Sequence, residues 1–181
     1  MGYLKIILGC MFSGKTSKLI TIYKKNIIAE IPTCIINYID DTRYDAEKMS
    51  THDGIKVKCI RSKLLMSVFK DDPELLNNNK VIIINEGQFF NDLYETVSWL
   101  VNTEDKDVYV GGLDGDYKME KFGSILDLIP LCNEIEKLNA VCTSCKGNAS
   151  FTKRISNDTV TQVLIGGSDI YIPVCRECHK L

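Results

Sequence analysis

Four stretches of this chain are dominated by apolar, mostly β-branched residues without helical spacing: YLKIIL at 3–8, TCIINY at 33–38, VIIIN at 81–85 and DVYVGG at 107–112. Strands covered on both faces read this way, because neither face of their sheet meets water. Between the first two, apolar residues recur at Leu19, Ile20, Tyr23, Ile27 and Ile28, the spacing of one helix face across 15–30. Shorter helix candidates cover 62–69 and 93–101. Alternating strands and helices predict an α/β fold with a mostly parallel sheet flanked by helices.

Past Asn139 the pattern changes. Two short β-rich segments, ASFTKRI and TVTQVLI, flank a turn-like SND at 156–158, and no helical period is present. The chain therefore divides near Asn139 into an α/β domain at 1–139 and a small β appendage at 140–181. It has no internal repeat and no low-complexity tract.

Composition narrows the function classes. An apolar fraction of 45% and a charged fraction of 25% over 181 residues suit a soluble globular protein with a real core. A net charge of −2 without a basic run argues against a nucleic-acid partner and for small substrates. No segment reaches the roughly 18 apolar residues of a membrane span, so no membrane partner is expected. The N-terminus has neither a secretory pattern nor a myristoylation pattern, and a cytoplasmic protein is the expectation.

Residues Gly9, Cys10, Met11, Phe12, Ser13, Gly14, Lys15 and Thr16 spell GCMFSGKT, which fits G-x-x-x-x-G-K-[ST] between a predicted strand and a predicted helix. Glycines let the backbone wrap phosphate oxygens, and the loop's N–H groups and the helix N-terminus offer positive potential. Lys15 is placed to bridge the terminal phosphates of a nucleoside triphosphate, and Thr16 to offer its hydroxyl to Mg²⁺.

In phosphate-loop proteins a second strand usually ends in the aspartate that holds the metal. VIIIN ends instead in Asn85, whose amide oxygen brings no negative charge, and weaker Mg²⁺ binding is expected. Glu86 follows, at the carboxyl end of a strand where ligands of such sheets bind. It reads either as a group that accepts a proton from an attacking hydroxyl or as a solvated loop glutamate. Phe90 is assigned to the core and Phe89 to the pocket.

Eight cysteines are many for this length. Cys10, Cys34, Cys59 and Cys132 stand in scattered contexts and read as small core residues. Cys142-x-x-Cys145 and Cys175-x-x-Cys178 bracket the appendage, and two such turns complete a tetrahedral Cys₄ structural zinc site. His179 is left no vacancy in that set, and His52 reads as a loop or core histidine.

Taken in order, GCMFSGKT, DTRY (41–44), THD (51–53), EGQFF (86–90), LDGDY (113–117), FGSILDLIPL, LNAVCTSC, SFTKR, IGGSDIY and VCRECH resemble the thymidine kinases of the cellular and poxvirus type, over nearly the whole chain. The poxvirus branch looks nearest, because the chain starts almost at the first strand and ends just after the last cysteine. The resemblance implies ATP-dependent phosphorylation of the 5′-hydroxyl of thymidine. It further implies a phosphate-loop fold with a zinc-held lasso, a homotetramer, and feedback inhibition by deoxythymidine triphosphate.

Residue by residue, the resemblance gives Glu86 as general base and Gln88 as a neighbour of the nucleotide. Asp41, Thr42 and Arg43 would belong to the triphosphate site, with Arg43 neutralising phosphate charge. Met11, Phe89, Leu113, Tyr117 and Phe122 would line the nucleoside pocket. Thr152, Gln162, Val163, Leu164, Ile165, Gly166 and Tyr171 would close over thymine. The chain departs from the family pattern at Cys10, where proline is usual, and at Tyr117, where phenylalanine is usual. One extra residue falls between Thr152 and Ile165, and Asn85 stands for aspartate. Two competing readings are a zinc-ribbon ATPase that binds nucleic acid and a homologue that binds nucleotide without turnover.

Overall fold

The computed structural model describes residues 1–40, 48–50, 55–156 and 161–180. The sequence candidates Asp41, Thr42, Arg43 and His52 lie outside these residues.

The main chain elements are, in order, β1 (Tyr3–Gly9), α1 (Lys15–Ile28), β2 (Thr33–Tyr38), β3 (Lys48–Ser50), β4 (Lys56–Lys58) and β5 (Ile60–Ser62). They continue with α2 (Leu65–Asp71), α3 (Pro73–Asn78), β6 (Val81–Asn85), α4 (Leu93–Asn102), β7 (Asp107–Gly112) and β8 (Glu134–Leu138). Six strands form one sheet in the order β5-β2-β6-β7-β1-β8, and every pairing within it is parallel.

The uninterrupted apolar strands are explained by how they divide their side chains. Along β6, Ile82 and Ile84 enter a core with α2, α3 and α4, while Val81 and Ile83 enter a second core with Leu19 and Ile20 of α1. β1 splits the same way, with Ile6 and Leu8 on one side and Ile7 on the other. Both faces are covered, so period-two polarity never develops.

Four of the six strands and the three longer helices follow the sequence pattern. The helix expected from Ser62 begins at Leu65, because residues 60–62 extend the sheet edge beside Ile36–Tyr38. The Asp92 carboxylate caps it, accepting from the N–H groups of Leu65 and Met66 at 3.1 and 2.9 Å. β8, read from sequence as no element, is an edge strand; its glutamates are matched by Lys5, whose Nζ lies 2.6 Å from Glu134 and 3.0 Å from Glu136.

After β8 come β9 (Ala140–Val141), β10 (Asn148–Ala149), β11 (Phe151–Arg154), β12 (Tyr171–Val174) and α5 (Arg176–Lys180). β9 pairs with β10, and β11 with β12, both antiparallel. Two expectations are corrected here. The second β-rich segment is not a strand over 161–165, and β11 pairs instead with residues 171–174, which bear no alternating pattern. A helix is also present: α5, at five residues, is too short to show a period in sequence. No helix among the described residues is long and apolar enough to cross a membrane.

Candidate active site at the carboxyl edge of the sheet

The phosphate loop leaves β1 at Gly9 (φ 146°) and passes through Phe12 (φ 64°) and Gly14 (φ 87°) before α1 starts at Lys15. A Cβ at Gly9 would strike the Leu138 carbonyl and the Ser13 hydroxyl, so the close turn requires glycine. Lys15 is 8% exposed and donates from Nζ to the Cys10 carbonyl at 2.7 Å. The Ser13 hydroxyl is buried with no hydrogen-bond partner among the described residues. A buried hydroxyl left over and an ammonium held on a loop carbonyl suit a loop built to receive phosphate oxygens.

Asn85 ends β6 directly opposite Asn37 of β2. Its Nδ2 donates to Asn37 Oδ1 at 2.9 Å, which turns Asn85 Oδ1 toward the Thr16 hydroxyl, 3.5 Å away. Thr16 and Asn85 therefore do meet, as two neutral oxygens.

Glu86 takes the left-handed conformation (φ 56°, ψ 42°) and starts a 3₁₀ turn over Gly87–Phe89. That step carries the strand end into the crevice, where Glu86 is 8% exposed. Gln88 donates from Nε2 to Glu86 Oε2 at 2.7 Å, and its Oε1 accepts from the Leu113 N–H at 2.9 Å. Backbone closes around it, since a Cβ at Gly112 or Gly123 would run into Gln88. Gln88 thus braces the Glu86 carboxylate from behind and does not line the cavity.

The cavity in front of Glu86 joins four regions of the chain. Met11, Phe12, Gly14, Lys15 and Thr16 come from the phosphate loop, and Asn85, Glu86 and Phe89 from the end of β6. Leu113, Tyr117 and Phe122 follow β7, while Thr152, Gln162, Leu164, Ile165, Gly166 and Tyr171 come from the tail. Phe89 stacks edge-on against Phe122 with centroids 5.4 Å apart, and Phe90 is core at 1% exposure. Gly9, Cys10, Ser13 and Val163 are not on the cavity wall, and Val163 is 46% exposed. The wall also includes Ser17, Gly115 and Asp116, which sequence reasoning passed over. For Asp116 a signal existed: its carboxylate caps its own loop, accepting from the N–H groups of Lys118 and Glu120 at 2.8 and 3.0 Å, a habit of turn aspartates.

The sulfur atoms of Cys142, Cys145, Cys175 and Cys178 all lie within 4.8 Å of one another, and those of Cys145 and Cys175 are 3.6 Å apart. Four thiolates on zinc at about 2.3 Å stand about 3.8 Å apart, so the donor set and its spacing suit a closed tetrahedral site. The backbone N–H of Cys175 donates to Cys142 Sγ at 3.3 Å, and that of Cys178 to Cys175 Sγ at 3.5 Å, which orients the ligands. Backbone donation from Cys145 is the main reason the Cys142 thiol is lowered to about 6. His179 stands apart from the cluster; its Nε2 hydrogen-bonds the Tyr117 carbonyl at 2.9 Å.

The scattered cysteines differ among themselves. Cys10 and Cys34 are buried, and burial pushes both thiols up, Cys34 to about 12. Cys59 and Cys132 are only half-buried at the core margins. Cys10 also packs with Ala140, Cys142, Ala149 and Val174, so the phosphate loop rests directly on the cysteine-bearing hairpins. A second link is the Met11 N–H, which donates to the Thr152 hydroxyl at 3.0 Å.

A parallel sheet, a glycine-rich loop leading into the first helix and a carboxylate at a neighbouring strand end define a phosphate-loop nucleotide-binding protein. The comparisons narrow this class: residues 2–179 match the sequence model of the family described as thymidine kinase, and the chain belongs to that family. It is 42% identical to thymidine kinase a of Arabidopsis thaliana over 177 residues, covering 97% of this chain and 74% of that one. Against the thymidine kinase of Sheeppox virus (strain KS-1) it is 39% identical over 180 residues, covering 99% and 98% of the two chains. It is likewise 39% identical to the cytosolic thymidine kinase of Gallus gallus over 178 residues, covering 98% and 77%.

Proposed function

We propose that this protein transfers the γ-phosphoryl group of ATP to the 5′-hydroxyl of thymidine, releasing ADP and thymidine monophosphate. The observation that carries the reading is one cavity in which the phosphate loop, the Glu86 carboxylate and the tail face each other. The triphosphate lies along residues 9–16, where Lys15 leaves the Cys10 carbonyl for the phosphates. Arg43, from the family resemblance, adds positive charge.

The Glu86 carboxylate takes the proton of the 5′-hydroxyl as that oxygen bonds to the γ-phosphorus and the bond to the β-phosphate oxygen breaks. Gln88 keeps the carboxylate aimed by donating to its other face. Most of the rate comes from alignment and charge neutralisation, with proton transfer a smaller share. Leu113, Phe89, Phe122 and Tyr117 supply apolar walls, and residues 162–171 close over the base. Main-chain N–H and C=O groups there match the acceptor, donor, acceptor edge of thymine.

Magnesium would be held by the Thr16 hydroxyl, the Asn85 amide oxygen and the phosphates, and it neutralises phosphate charge. Because both protein donors are neutral, the affinity of the site for the ion leans on the nucleotide. Cys142, Cys145, Cys175 and Cys178 would hold zinc, which would anchor the lasso domain read at 140–181, whose own core is too small to hold it. We further read the active form as a cytoplasmic homotetramer inhibited by deoxythymidine triphosphate.

Phosphorylation of labelled nucleosides by the purified protein with ATP, across a Mg²⁺ series, tests the reading. Thymidine is the expected substrate; absence of thymidine turnover at every Mg²⁺ concentration would overturn it.

A further inference from the structure

Arg154 ends β11 with its side chain turned inward and only 8% exposed. Its Nη1 donates to the Thr161 carbonyl at 2.5 Å, and its Nη2 to the Gln162 carbonyl at 3.0 Å and to the Tyr171 hydroxyl at 2.7 Å. Tyr171 passes the chain on, donating to the Leu164 carbonyl at 2.8 Å. The guanidinium also stacks on the Tyr117 ring, 3.8 Å from its centroid.

Residues 161–165 lie in no strand or helix. Their carbonyls at Thr161, Gln162 and Leu164 are met by side chains instead of by a ladder. A buried guanidinium is costly unless its N–H groups are used, and here the carbonyls of this segment accept from Nη1 and Nη2. Each side of the contact therefore needs the other. A planar fork spans two successive carbonyls and stacks on an aromatic ring, which a lysine ammonium cannot do.

We propose that Arg154 is the positioning residue that clamps residues 161–165 in the form that closes the nucleoside cavity, and so sets affinity for the nucleoside. This rests on the reading of that segment as the part that covers the base. Arg154 is absent from the cavity wall while Gln162, Leu164, Tyr171 and Tyr117, which it holds directly or through Tyr171, are on it. Asp116 is a second tether: its Oδ2 accepts from Gln162 Nε2 at 2.8 Å, fastening the same segment to the loop that carries Tyr117.

The test compares Arg154→Met and Arg154→Lys with the unaltered zinc-loaded protein by steady-state kinetics and by amide hydrogen exchange without ligands. For Arg154→Met the thymidine KM is expected to rise about ten-fold or more, the loss of hydrogen bonds from a charged donor, with the ATP KM within about two-fold. Exchange at 161–165 should accelerate while zinc content and protection of 81–85 stay unchanged. Arg154→Lys, which keeps the charge and one donor, should fall between the two and provides the measurement if the methionine variant fails to fold. A thymidine KM and an exchange pattern like the unaltered protein's in the lysine and methionine variants would overturn the clamp. Absence of thymidine phosphorylation by the unaltered protein would instead overturn the kinase reading, leaving exchange in the ligand-free protein to decide the clamp.

Discussion

At the sheet edge, Asn37 meets Asn85 because β2 and β6 pair residue for residue from Thr33 opposite Val81. In the tail, Thr161 and Leu164 are held by side chains reaching from β11 and β12. One region places its chemistry by backbone register over two cores of buried, mostly aliphatic residues. The other has a core of Cys10, Ala140, Cys142, Ala149 and Val174, to which the cysteines themselves contribute. Register is cooperative and tolerates surface change, whereas point tethers fail singly. The carboxylate proposed to take the proton suits the first, and a segment proposed to admit and cover the nucleoside suits the second.

The largest break in this comparison should come from the cysteines. Cys175→Ser, or strong chelation, is expected to release zinc, abolish protection from hydrogen exchange over 140–180 and stop thymidine turnover, while the sheet stays protected. Retained zinc in Cys175→Ser would mean that the ligand set is wrong.

Glu86→Gln acts on the rigid side. It should lower kcat by roughly 10²–10⁴ without altering zinc content or the melting temperature appreciably. A kcat close to that of the unaltered protein would remove Glu86 from proton transfer.

Asn85→Asp has a smaller effect of mixed sign. A carboxylate beside Thr16 should lower the Mg²⁺ concentration needed for activity, since hard cations prefer anionic oxygens. It would also face Asn37 Oδ1 unless the Asn37 amide turns over to donate, with about 1–3 kcal/mol of stability at stake. An unchanged Mg²⁺ response would discard the account of this position.

The smallest effect is at the sheet margin. The Lys5 ammonium holds the Glu134 carboxyl below its ordinary 4.5, and Lys18, then Lys5, does the same for Glu136. Carboxyls depressed in the folded state stabilise it above their unfolded value and lose that contribution as pH falls through the folded values. Acidification below about pH 4.5 should therefore loosen β8 first, read as faster exchange at 134–138 with β6 still protected. Uniform exchange along both strands in acid would contradict it.

Much of the sheet was legible because burial on both faces leaves a mark in every residue of a strand. VIIIN and DVYVGG are strands from first residue to last. β5 and β8 were not legible, since each has one neighbour and a polar flank: EIEKL reads as surface until Lys5 and Lys18 stand beside it. The phosphate loop and the cysteine pairs were legible as fixed spacings, which local chain geometry imposes. Arg154 and the tether from Asp116 to Gln162 were not, because the partners at Gln162 and Tyr171 are remote in sequence and no spacing links them.

The sequence by itself determined the sheet's central strands, the phosphate loop, the cysteine quartet and the place of a carboxylate just past β6. Each rests on local periodicity or on short spacings that a chain cannot avoid obeying. Only the tertiary structure decided that Asn85 is oriented by Asn37, that Gln88 braces Glu86 from behind, and that one arginine holds three points of the tail segment. Those are contacts between residues far apart in the chain, and such contacts exist only once the chain has folded.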